Sequence, residues 1–137
     1  MNHPVDRHSA LIYTMVLVSA AEGRITDAEI AMMTRLVRTL PVFETFDTDR
    51  IQALGQQCIE LLRHEDGLDV ATDLIASALP ASLRETAYAL ACDVAAADGS
   101  ASQDELRLLE LLRYKLQLDP LVTAAIERGA RARFRRG

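Results

Sequence analysis

Two stretches of this chain are near copies of one another, and that duplication limits the fold more than any other feature of the sequence. Residues 19–29 read SAAEGRITDAE and residues 95–105 read AAADGSASQDE. At a constant offset, Glu22, Gly23, Thr26 and Glu29 match Asp98, Gly99, Ser102 and Glu105. Each copy is preceded by a run that is apolar on nearly every face, SALIYTMVLVSAA in one case and TAYALACDVAAA in the other. A helix with no polar face has to be buried. Each copy ends in a Ser or Thr with a Glu three residues on, the pattern of a capping box that opens a new helix. The unit is therefore a buried helix, a short glycine turn and an amphipathic helix, present twice.

The rest of the chain continues in helical period. Ile30, Met33, Val37 and Leu40 form a stripe that Pro41 ends. PVFETF is a connector whose two Phe plug the core. Thr48 or Asp47 caps a third helix with Ile51, Leu54, Cys58, Leu61 and Leu62 inward, and HEDG stops it. A fourth helix covers about 68–78, presenting Leu68, Ala71, Leu74, Ile75 and Ala78, and Pro80 stops it. Ser82 with Glu85 reads as a third capping box. Asp119 followed by Pro120 is an N-cap with Pro at the first helical position, opening a last helix with Leu121, Val122, Ala125 and Ile126. No segment alternates with period two. The expected fold is all-α, about seven helices in a single domain over 1–137. Repeat one lies at about 9–40 and repeat two at about 85–116, and the two buried helices lie side by side with pseudo-twofold symmetry between the pairs.

Composition narrows the function classes. Half the residues are apolar, so a folded core is expected. The net charge of −5 argues against nucleic-acid binding. The exception is the end of the chain, ERGARARFRRG, with five Arg and one Glu. A basic end complements the dipole of a last helix. It could also dock an acidic partner or an anionic lipid surface. Cys58 and Cys92 sit in apolar helical runs and read as reduced core thiols. No apolar run is long enough to span a bilayer, and MNHPVDRHSA lacks the features of a signal peptide. A cytoplasmic protein is expected, unless a larger assembly carries it to a membrane. His3, His8 and His64 share no ligand spacing. No Ser-His-acid or Cys-His arrangement and no phosphate loop is present, so no catalytic residue is assigned.

Capping explains Thr26, Glu29, Ser102 and Glu105. It does not explain why Glu22 and Asp98 place acids at helix C-termini, where the dipole disfavours them. Asp98, Gly99 and Glu105 also have the spacing of positions five, six and twelve of an EF-hand loop. Val94 and Ala96, like Val18 and Ala20 in the first copy, occupy the places of the first two carboxylates, so neither copy is an EF-hand. Asp93 is the only charged residue in Thr86–Ala97. A lone buried carboxylate is costly unless paired or ligated. One reading gathers Asp93, Asp98 and Glu105, with Glu22 and Glu29, into an acidic site for a hard divalent cation, calcium, magnesium or manganese. The other pairs Asp93 within the core, with Arg35, Arg38, Arg113 or Tyr13.

The string YALACDVAAADGSASQDELRLLELL, with its weaker copy at residues 11–40, resembles the signature of the TerB-like family, bacterial proteins associated with tellurite resistance. The resemblance implies an all-helical fold with pseudo-symmetric halves and an acidic, metal-binding centre. It implies a module of stress response or of assemblies near the membrane, with another protein or a membrane-associated complex as partner, and no catalysis. Onto this chain it carries Asp93, Asp98 and Glu105 first, then Glu22 and Glu29. Two departures stand out: Glu22 replaces the usual Asp, and Leu17 stands where a second helix acid could sit.

Overall fold

The computed structural model describes residues 5–21, 23, 25–97, 99 and 101–137. Among these the chain is all helical. The α-helices are α1 (Arg7–Ala20), α2 (Asp27–Thr39), α3 (Ile51–Leu62), α4 (Gly67–Ala78), α5 (Ala81–Ala96), α6 (Gln103–Lys115) and α7 (Pro120–Arg133), with short 3-10 turns at Pro41–Phe43 and Thr48–Arg50.

The two runs without a polar face form the centre. In α1 every residue from Ser9 to Ser19 is buried. In α5 the alanines at 87, 91 and 95, four apart and so on one face, are all buried. The most extensive helix contact in the molecule is between α1 and α5. The outer helices pack around this pair. α2 lies on α5 and α6 lies on α1, while α3 packs on α1 as α7 packs on α5. α6 also touches α5, and α4 completes the wall around α1.

The glycine turns close both units in the same way. The Gly23 N–H donates to Ala20 O and the Gly99 N–H to Ala96 O, each at 2.9 Å. Their φ angles are +89° and +99°. A side chain at either would meet nothing within 4 Å, so these positions need glycine for its backbone and not for space. Both capping boxes are formed. The Thr26 N–H donates to Glu29 Oε1 at 2.9 Å and the Glu29 N–H to Thr26 Oγ1 at 3.2 Å. The Ser102 N–H donates to Glu105 Oε1 at 2.9 Å and the Glu105 N–H to Ser102 Oγ at 3.1 Å.

Phe43 and Phe46 are buried in the connector, and the His8 ring packs on both while its Nε2 lies 2.8 Å from Val42 O.

The third expected capping box does not exist. α5 begins at Ala81 with Pro80 as its N-cap, so Ser82 and Glu85 are the second and fifth residues of the helix, and no side chain caps that end. Pro80 fixes the entry by its own φ of −66°. The Arg84 guanidinium holds the corner by donating to Ala76 O, Leu79 O and Leu116 O. Asp47 caps the 3-10 turn and not α3 itself, which has no side-chain cap. The stripe on α2 is also rolled. Ile30 is 49 % exposed while Glu29, Leu36 and Val37 are buried. The capping carboxylate takes the inward place that Ile30 was expected to fill. At the same place in the second copy, Leu106 is 46 % exposed beside buried Glu105. In α7 Leu121 is exposed as well, and Thr123 and Ala130 face inward. Among the described residues no helix is long and apolar enough to cross a membrane.

Candidate functional site

The described acids of the candidate set, Glu29, Glu105 and Asp93, do not all share one environment. Glu29 and Glu105 are 3 % and 4 % exposed, and each holds the N-cap backbone of the helix it opens. Asp93, on the outer side of α5, has a side chain only 14 % exposed, and its Oδ1 lies 2.5 Å from Arg133 Nη2 near the end of α7. The partner is therefore none of the four groups expected from sequence. Arg113 is taken by Glu127 and Tyr88, Tyr13 donates to Gln57, and Arg35 and Arg38 are exposed. Only folding α7 back along α5 brings the basic end of the chain to Asp93. Glu22 and Asp98 lie outside the described residues, as does His3. Among the described residues no three His, Cys, Asp or Glu side chains lie close enough to hold a metal ion.

A second polar group stands where α5, α6 and α7 meet. The Tyr88 hydroxyl, on a fully buried ring, donates to Glu127 Oε2 at 2.5 Å and accepts from Arg113 Nη1 at 2.8 Å. Arg113 and Glu127 are themselves paired at 3.2 Å. Burial, and then the Glu127 carboxylate, push the Tyr88 hydroxyl well above the usual phenol range. Cys92 and Cys58 are free and buried, and burial raises both thiols to about 12. Neither is a thiolate at neutral pH, so neither is an activated nucleophile.

Beside the Tyr88 group opens a cleft of about 1100 Å³ between the end of α5, α6 and the end of α7. Ala95, Leu109, Ala130 and Phe134 supply its apolar lining. Arg107, Arg131, Arg135 and Arg136 also line it. Sequence reading marked the basic end of the chain but not this cleft. The signal was present in the exposed Leu106 position and the arginines together, yet it needed the packing of α7 to bring them into one surface.

The family model described as Tellurite resistance protein TerB matches residues 8–128. The chain belongs to the TerB family. The match takes in both copies of the acid-glycine unit and all seven α-helices except the start of α1 and the end of α7. No curated protein and no solved structure matches the chain. For this TerB-family chain the candidate surfaces are thus the two duplicated turns and the arginine-lined cleft beside the second of them.

Proposed function

We propose that this TerB-family protein is a non-enzymatic module of a tellurite-type stress response that works by docking a partner, with its repeated acids serving as helix caps and ion pairs. The observation that carries the reading is that every described acid of the candidate set already has a structural task. Glu29 and Glu105 satisfy backbone donors that a helix start leaves open. Asp93 is neutralised by Arg133. These three do not by themselves fit a cation site. The raised thiols support a non-catalytic role, since burial keeps both Cys58 and Cys92 protonated at neutral pH. The partner would be another protein or a membrane-associated complex, met at the exposed apolar and basic surface of the second repeat.

A divalent cation at the turns is the second reading. It is favoured by the depth of Glu29 and Glu105, because carboxylates are rarely so buried without strong pairing. Glu22 and Asp98 belong to the same two turns in sequence. Calcium, magnesium or manganese would suit such oxygen ligands.

Thermal unfolding of metal-stripped protein, titrated with these cations and with zinc, separates the two. The docking reading expects no saturable rise in midpoint. A rise with one hard cation, lost in Asp98→Asn and Glu105→Gln, would overturn it. At about 100 times the dissociation constant, a ligand of the folded state adds roughly 2.7 kcal/mol.

A further inference from the structure

From the cleft between α5, α6 and α7 we infer that the partner presents an acidic amphipathic helix, which lies in the cleft with its apolar face on Leu106 and Phe134 and its carboxylates on the arginine rim. The inference deepens the docking reading and rests on it. Three observations lead to the occupant.

The first is charge. Among the described residues none of Arg107, Arg131, Arg135 and Arg136 makes an ion pair. Among the described residues lining the cleft the acids are Glu110 and Glu127, and Glu127 is already held by Arg113 and Tyr88. Four unspent guanidinium groups on one rim, in a chain that is −5 overall, call for carboxylates from outside. The second is the lining. Leu106 is nearly half exposed at the edge of the cleft, and Phe134 is only half-buried within it. An apolar floor under a charged rim suits a ligand with one apolar face and one charged one.

The third is size. Two turns of α-helix, about 11 Å long and about 10 Å across, displace roughly 850 Å³. The cleft of about 1100 Å³ accepts that segment. Its walls are three helices, so a fourth helix finds ridges and grooves to pack into. A flat anionic bilayer would meet the arginines but could not reach the concave floor.

The probe is a fluorescent helical peptide of about 14 residues with Leu at i, i+3, i+4 and i+7 and Glu flanking them. Its twin carries Lys in place of every Glu. Anisotropy titration of the full chain should show the acidic peptide binding at least about tenfold more tightly than the twin, with the difference shrinking in high salt. Arg131→Glu with Arg135→Glu, and separately Leu106→Asp, should each weaken the acidic peptide by about tenfold or more while circular dichroism shows the chain still folded. Arg38→Glu, on α2, should not. Equal binding of the twins, or no binding of either, overturns the inference, and this comparison needs no variant to fold. Phosphatidylglycerol vesicles that sediment the protein, and that the acidic peptide does not displace, overturn it in favour of a membrane surface. The cation titration can fail or succeed independently, so a metal-binding turn and a vacant cleft give different results from a metal-free turn and an occupied one.

Discussion

Asp93 is the acid that the duplicated unit does not require, since Leu17 fills the same place in the first copy. Its carboxylate is mostly buried while Arg133 is mostly exposed, so the pair sits at the edge of the core with water on one side. Such pairs contribute modestly, because screening and the ordering of a long side chain offset the attraction. Asp93→Asn should therefore lower stability by about 1 kcal/mol in metal-free buffer, and Arg133→Gln by a similar amount. In a double-mutant cycle followed by urea unfolding, the two losses should overlap instead of adding. Additive losses would mean that Asp93 is held by something other than Arg133. A loss seen only when calcium is present would move Asp93 to the cation reading. Sequence could flag Asp93 as needing a partner, because a lone carboxylate in an apolar helix is costly. It could not name Arg133, since the pair joins residues forty positions apart through the packing of two helices.

The turns carry the next set of expectations. Gly23 and Gly99 sit at positive φ with open space around them, so a methyl group would cost through backbone strain alone. Gly23→Ala and Gly99→Ala should each destabilise by about 1–2 kcal/mol, and by nearly the same amount. Gly67 is a different case. Its added Cβ would stand 2.1 Å from Leu61 O and 2.9 Å from Leu62 Cα, backbone atoms that cannot swing aside. Gly67→Ala should prise α4 from the end of α3 and cost about 3 kcal/mol or more. Chemical denaturation of the three variants tests the ranking, and a Gly67→Ala as mild as Gly99→Ala would contradict the tight α3–α4 corner. The duplicated glycines and both capping boxes were legible because each is a local device, fixed by residues within three or four positions. Ser82 and Glu85 satisfied the same local rule, yet Pro80 and the long reach of Arg84 had already set that helix start. The arginines of the cleft were legible, but the cleft itself was not. It depends on the angle at which α7 returns over α5, which no local pattern encodes.

For the molecule as a whole, the core around α1 and α5 seals both thiols, Cys58 of α3 and Cys92 of α5. Burial holds Cys58 and Cys92 at about 12, against an ordinary thiol near 9. The unfolded chain therefore gives up these protons first as the solution becomes alkaline. Between pH 9 and 12 the native state binds more protons than the unfolded state, so stability falls as pH rises. The slope is at most about 1.4 kcal/mol per pH unit for each thiol. Tyr13 and Tyr88, also raised by burial, add to the fall only above the ordinary phenol range near 10. Urea unfolding at pH 8, 9 and 10 should thus show a plateau and then a decline, and Cys58→Ala should flatten that decline while lowering the plateau through the cavity it leaves. A decline of unchanged steepness in Cys58→Ala would mean that this thiol reaches solvent in the native state. In that case the α1–α3 contact that covers Cys58 opens more readily than the packing of the central pair implies.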